Sequence, residues 1–312
     1  MKKAKGTLLL LLAALIWGMA FVAQTSAADK IGAFTFNASR SIIAALFLLL
    51  VIGIRKLSGK APIKAKDKAA SRHLAFGGTL CGITLFIAVN FQQFGIAAYP
   101  ENAAASGRAG FLTATYVVMV ALCAWVSGKK PHPMTLIAAV GCIIGMYMLC
   151  LSNGFSGIYL GDILVLICAV GFTAYILVVD HFQKLDGLML SCIQFFICGA
   201  LSLIATLIFE KPSAQALLAA WLPIVYAGIF SSAIGYTLQI VGQKYADPAV
   251  ASIVMSLESV FAALAGWIIL NERLGFHELI GCGLVFFSVI LAQVPGFAKK
   301  EVEENRGLSE NY

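Results

Sequence analysis

Apolar residues run along this chain in about ten blocks, each close to 20 residues and each ended by a short polar joint. A bilayer's hydrocarbon core is about 30 Å thick and a helix rises about 1.5 Å per residue, so each block is long enough to cross once. The pattern predicts spans over residues 7–24, 32–54, 73–98, 103–126, 133–151, 159–180, 187–209, 217–242, 249–270 and 276–294. Lipid offers no partner to exposed backbone groups, so an open-ended span must be helical. The expected fold class is an all-α polytopic membrane protein with ten transmembrane helices arranged as two inverted five-helix repeats.

Composition agrees with that pattern. Of 312 residues, 60% are hydrophobic and 12% are charged, a balance that a soluble domain has no interior to hide. The formal charge of +7 does not mark a nucleic-acid protein, because the basic residues sit in the joints and not on one amphipathic face. The first block also resembles a secretory signal, with Lys2, Lys3 and Lys5 before the apolar run and Thr25-Ser26-Ala27 after it, but the run exceeds a typical signal core. The eight cysteines lie almost entirely in apolar blocks without a C-x-x-C pair, which reads as small core residues.

Lys and Arg test the span count. With a cytoplasmic N-terminus, 17 of the 22 basic residues fall in inside segments and only Lys30, Lys211 and Arg273 fall outside; Arg40 and Arg108 lie within spans. A missed or invented span would swap the sides of every later joint and spoil this separation. Both termini are therefore expected in the cytoplasm, with 55–72 as the main basic loop.

The chain also resembles itself. Residues 82–106 laid over 228–252 agree in seven of 25 columns, among them Gly82/Gly228, Gln93/Gln239 and Tyr99/Tyr245. At a second offset Gly6-Thr7 lies over Gly161-Asp162, and Trp17 over Phe172. Five helices are an odd number, so the second copy enters the membrane from the opposite side. The expected division is a first five-helix repeat over 1–153, a second, inverted one over 154–296, and a cytoplasmic tail over 297–312. Such pairs let a central site open to each side in turn.

Particular residues extend the picture. Trp17-Gly18 in the first span, Arg40 early in the second, and Ser256-Leu257-Glu258-Ser259-Val260-Phe261-Ala262 followed by Asn271-Glu272 resemble the EamA-type transporters of the drug/metabolite transporter superfamily. The usual motif of that family in the ninth span is Leu-Glu-Pro-Val-Phe-Ala; Ser259 stands here in place of the proline, which removes an expected kink. The resemblance implies a ten-helix carrier of small metabolites with a cavity between its halves.

Glu258 falls near the middle of a span, where a bare carboxylate costs roughly 2.5–3.5 kcal/mol, so it needs a partner or a task. Arg40 and Arg108 are candidate partners, and three roles stay open for the group: a helix-tying ion pair, direct contact with a charged solute, or proton coupling. Trp17, Asn90, Gln93, Thr113, Tyr116, Tyr175, Tyr236 and Gln239 are candidates to line the substrate cavity, with Gln194 beside them; for an intramembrane amide the alternative is an interhelical hydrogen bond worth about 0.6 kcal/mol. Asn90/Tyr236 and Gln93/Gln239 are equivalent positions of the repeat. Gly78/Gly82, Ala103/Gly107 and Gly141/Gly145 are small pairs four apart, suited to close helix contact.

The four histidines have no metal spacing, and there is no H-E-x-x-H, Walker loop or G-x-S-x-G, so no cofactor, metal or ATP-driven step is expected. The expected activity is secondary transport, as an exporter, of small organic metabolites such as amino acids or related compounds in the inner membrane. Its partners are the solute, the lipid bilayer and possible protons, in a monomer or homodimer. A membrane-embedded enzyme acting on a lipid-linked substrate is the alternative, but such an enzyme needs more ionisable groups near one leaflet than this chain supplies.

Overall fold

The computed structural model describes residues 2–59, 68–100, 105–128, 132–151, 159–270, 276–277, 279–281 and 283–292. The Asn271-Glu272 pair and the 297–312 tail lie outside these. The helices, in chain order, are α1 (Lys2–Ala28), α2 (Ala33–Leu57), α3 (Lys68–Ala97), α4 (Ala105–Val126), α5 (Pro133–Leu151), α6 (Leu160–His181), α7 (Gly187–Phe209), α8 (Trp221–Gln243), α9 (Pro248–Ile269) and α10 (Leu279–Ala292). A short helix, Ala214–Ala219, precedes α8. Eight of them, α1 to α4 and α6 to α9, are long and apolar enough to cross a membrane; the apolar stretches Pro133–Gly145 and Leu279–Ala292 in α5 and α10 are shorter. The protein is a multi-pass, all-helical membrane protein among its described residues.

The burial pattern is that of a protein dissolved in lipid. In α1, Leu8, Leu12, Leu15 and Met19 form an exposed stripe at helical spacing while Leu10, Ala13, Ala14 and Phe21 are buried. In α7, Leu203, Ile204, Leu207 and Ile208 are exposed, whereas Gln194 and Ser202 are fully buried. The apolar side chains face outward and the amides and hydroxyls face inward, because hydrocarbon welcomes the first and cannot solvate the second.

Helices of the first half pack chiefly against helices of the second. α1 lies against α8 and α9, and α6 against α3 and α4; α2 lies against α7 and α8, and α3 against α6 and α7. Several of the crossings are close approaches at glycines. A methyl group built on Gly6 would sit 2.6 Å from Tyr245 Cβ, and one built on Gly161 would sit 2.8 Å from Tyr99 Cε1. Gly82 is closed over by Ile197 and the Gln194 carbonyl of α7, and Gly228 by Ile43 and the Arg40 carbonyl of α2. Where α2 crosses α7, Gly199 faces Ser41 and Ile42, and Ser41 Oγ donates to Cys198 Sγ at 3.6 Å. These glycines are needed because the backbones approach too closely for any side chain.

Of the small pairs, Gly78 meets Ile193 and Gly145 meets the Gly281 carbonyl of α10 at 2.8 Å, so those seams are real. Gly107 has nothing within 4 Å, so the pair it forms with Ala103, which is outside the described residues, is no seam on the Gly107 side.

Helix ends are tied by charged side chains. Glu210, just past α7, accepts from the Phe34 and Thr35 amides at 2.9 and 2.8 Å and so caps the first turn of α2 from another helix. Asp186 caps α7 through the Leu188 and Met189 amides. Lys244 Nζ donates to the Leu185 carbonyl at 2.6 Å; burial lowers its pKa from the ordinary lysine value, and nearby Asp186 works against that shift.

Candidate functional site

One cavity lies among α1, α2, α3, α4, α6, α8 and α9, where the two sets of helices meet. Three departures from regular helix shape its wall. In α8, residues Ala227–Tyr236 form a π-helical stretch, which shifts backbone carbonyls out of their usual register. Trp17 Nε1 takes up one of them, donating to the Ser231 carbonyl at 3.2 Å, and the Trp17 and Tyr236 rings lie 4.8 Å apart.

The second departure is in α4, which is interrupted at Thr115, between Ala105–Ala114 and Tyr116–Val126. The third is in α9, interrupted at Ser256 between Pro248–Met255 and Leu257–Leu270. The missing proline thus does not leave α9 straight. Ser252, Ser256 and Ser259 each return a side-chain hydrogen bond to a carbonyl three residues back, and such back-bonding bends helices. The two interruptions set Tyr116 and Glu258 at the starts of their continuing segments, and the Tyr116 hydroxyl donates to Glu258 Oε1 at 3.0 Å.

Seven of the residues singled out from the sequence line this cavity: Trp17, Arg40, Thr113, Tyr116, Tyr236, Gln239 and Glu258. Gln24, Gln92, Phe172 and Ser231 line it too and were not anticipated. Phe172 was legible, as the repeat equivalent of Trp17. Gln92 is the neighbour of the residue chosen, and it donates to Thr113 Oγ1 at 3.2 Å. Four candidates are placed elsewhere. Asn90 is held by Asn37 at 3.0 Å and by the Phe86 carbonyl at 2.8 Å. Gln93 donates to the Gln24 carbonyl at 3.1 Å. Tyr175 and Gln194 bond to each other at 3.1 Å. Each of these is an interhelical or intrahelical tie, the commonplace role for a polar group in a membrane core. Of the positions aligned in the sequence, Tyr236 and Gln239 line the cavity, while Asn90 and Gln93 are tied up in hydrogen bonds.

The ion-pair expectation needs correcting. Arg108 does not meet Glu258; it grips Asp162 with two bonds, Nε to Oδ1 at 2.7 Å and Nη2 to Oδ2 at 2.8 Å. The Tyr99 hydroxyl and the Tyr159 amide each donate to that carboxylate at 2.9 Å, and the centroid of the Tyr159 ring lies 4.7 Å from the guanidinium carbon. Burial, and then the bond to Asp162, push the Tyr99 phenol well above its ordinary pKa. Asp162 had escaped notice because it falls at the very start of an apolar block, where a carboxylate looks like a helix-end residue.

Arg40 has no such partner. It is 3% exposed, its guanidinium lies 5.4 Å from the Phe36 ring centroid, and among the described residues no carboxylate comes within 4.0 Å of it. Glu258 is 5% exposed and likewise has no cation within that distance among the described residues. One cavity thus holds a cation and a carboxyl group that make no direct ion pair within 4.0 Å. No group of three or more His, Cys, Asp or Glu side chains able to hold a metal occurs among the described residues.

Comparison with known proteins places this arrangement. Residues 4–151 and 159–293 match the EamA-like transporter family. An uncharacterized transporter of Archaeoglobus fulgidus is 30% identical over 295 residues, which is 94% of this chain and 87% of that protein. The uncharacterized inner membrane transporter YedA of Escherichia coli K12 is 25% identical over 187 residues, 60% of this chain and 61% of its own length. A solved crystal structure shares the fold, with a TM-score of 0.75 at 19% identity over 94% of this chain and 98% of that one. With both halves matched and a curated relative aligned nearly end to end, the chain belongs to the EamA-like transporter family and is a membrane transporter.

Proposed function

We propose that the protein is a secondary transporter of the inner membrane, exporting small organic solutes such as amino acids or related compounds by alternating access between two inverted five-helix halves. The observation that carries this reading is the cavity itself: it lies on the seam between the halves and holds Arg40 and Glu258 unpaired within a mostly apolar and aromatic wall. Burying two opposite charges without joining them sacrifices stability, so they serve something outside the fold. A solute that passes through is the partner that a transporter supplies.

The swapped crossings support the inverted arrangement. Exchanging halves turns the Gly6–Tyr245 approach into Gly161–Tyr99, and Gly82 on α7 into Gly228 on α2. The two stretches matched to the family, 4–151 and 159–293, divide the chain where residues 1–153 and 154–296 divide it. Both termini then face the cytoplasm, and α5 and α10 complete ten spans. Two units related in this way exchange roles with little change in energy, which is what opening the cavity first inward and then outward requires.

Glu258 is the coupling residue in this scheme. It faces the cavity, its recorded partner is a neutral hydroxyl, and a carboxylate so placed gains or loses a proton as the cavity changes sides. Proteoliposomes of the pure protein test the reading. Solute flux is expected to follow an imposed pH gradient and to collapse with an uncoupler; flux indifferent to both refutes proton coupling, and no flux of any solute refutes transport. Family membership gives no support to the alternative, a membrane enzyme for lipid-linked substrates.

A further inference from the structure

We infer that Arg40 is the anchoring point for a single carboxylate on the transported solute, a role that rests on the transport reading above. Four observations converge on it. Arg40 lines the cavity, is almost fully buried, and lacks a carboxylate partner among the described residues. The other cation buried inside a span, Arg108, is fully engaged by Asp162, so unmet positive charge in the described core is confined to Arg40. The Phe36 ring, with its centroid 5.4 Å from the guanidinium, carries no charge to offset it. A guanidinium offers five donors in a fixed fork suited to a planar carboxylate, and an empty fork in a low-dielectric site is a standing demand for one.

Charge count selects the ligand. The wall supplies one cation and, in Glu258, one carboxylate. A phosphate monoester brings nearly two negative charges, leaving at least one unmatched beside Glu258, whereas a carboxylate brings one. The remaining polar atoms describe the rest of the solute. Gln24 Oε1 and Gln239 Oε1 are buried acceptors with no donor, on residues that line the cavity and are 3% and 2% exposed. They call for hydrogen-bond donors, as an ammonium or hydroxyl group provides. The polar groups of the wall therefore match the chemistry of a monocarboxylate that carries donors at its other end.

The test compares the wild-type chain with Arg40→Gln and Arg40→Lys in proteoliposomes loaded with a polar-metabolite extract of the host cells, reading released solutes by mass spectrometry and, on the same preparations, thermal unfolding. Solutes released by the wild type but not by empty vesicles are expected to carry one carboxylate. Arg40→Gln is expected to cut their release at limiting concentration on the order of 30-fold or more, the effect of removing one partner from a buried charge pair. Arg40→Lys is expected to fall between, since it keeps the charge and loses the fork. Arg40→Gln is further expected to melt no lower than the wild type, because an unpaired buried charge does not stabilise the fold.

Release of neutral, purely cationic or phosphorylated solutes, or unchanged carboxylate release by Arg40→Gln, overturns the inference while leaving transport intact. A lower melting point for Arg40→Gln overturns it as well, since Arg40 is then a structural element. No solute released by the correctly folded wild type overturns the transport reading and this inference with it.

Discussion

The Arg108–Asp162 pair offers the sharpest test of how the two halves are held. Both side chains are 8% exposed, their two bonds are 2.7 and 2.8 Å long, and every oxygen of the carboxylate is occupied. Replacing Arg108 with methionine leaves Asp162 buried with only the Tyr99 hydroxyl and the Tyr159 amide as donors. Breaking a buried pair from one side costs about 3–5 kcal/mol, because the remaining charge keeps its desolvation penalty and loses its counter-charge. At this exposure solvent screening removes little of that figure. Replacing both members with apolar residues, as in R108M/D162L, removes both penalties and is often close to neutral. The expected pattern in detergent is a melting point lowered by roughly 6–10 °C for R108M and substantially restored for R108M/D162L. The double-mutant cycle, completed with D162L alone, gives the coupling energy. A melting point unchanged in R108M, or a double variant no more stable than R108M, refutes the claim that the pair clamps α4 to α6.

Four further outcomes follow from the same geometry. Glu258→Gln is expected to insert and fold normally but to lower solute flux at least about ten-fold, and normal flux by the correctly inserted amide variant removes Glu258 from the mechanism. Tyr116→Phe deletes only the hydroxyl bonded to Glu258, so flux is expected to change in its dependence on pH while stability changes by about 1 kcal/mol or less; an unchanged pH profile refutes the contact's role. Gly18→Val places atoms against Phe261 and the Ala262 amide of α9, and is expected to lose folded protein in size-exclusion chromatography; a well-folded valine variant refutes the close α1–α9 crossing. Glu210→Ala removes the cap on α2 and is expected to lower stability by about 1 kcal/mol, read as a small drop in melting point, and no drop refutes the capping assignment.

Much of the architecture is written in one dimension. Block length against bilayer thickness sets the number of candidate crossings, and the distribution of Lys and Arg sets the expectation for which joints face the cytoplasm, since both depend on local composition alone. Gly6 and Gly161, and Tyr99 and Tyr245, align in the sequence, and in the structure Gly6 packs against Tyr245 and Gly161 against Tyr99. Trp17, Tyr236, Gln239 and Glu258 were also readable, as polar or aromatic groups too deep in a span to be interface anchors.

Partner choice was not written there. Nothing along the chain distinguishes Gln92, which lines the cavity, from Gln93, which ties α3 to α1, because the two differ only in the direction they leave a helix whose rotation tertiary packing sets. Nothing linear assigns Arg108 to Asp162 instead of Glu258, or leaves Arg40 without either, because the four lie in different spans and Coulomb attraction falls with a distance that only the folded bundle defines. The sequence alone determined that the chain crosses the membrane many times; the tertiary structure alone decided that Arg108 meets Asp162 and that Arg40 and Glu258 line one cavity, because only the folded bundle sets the distances between spans.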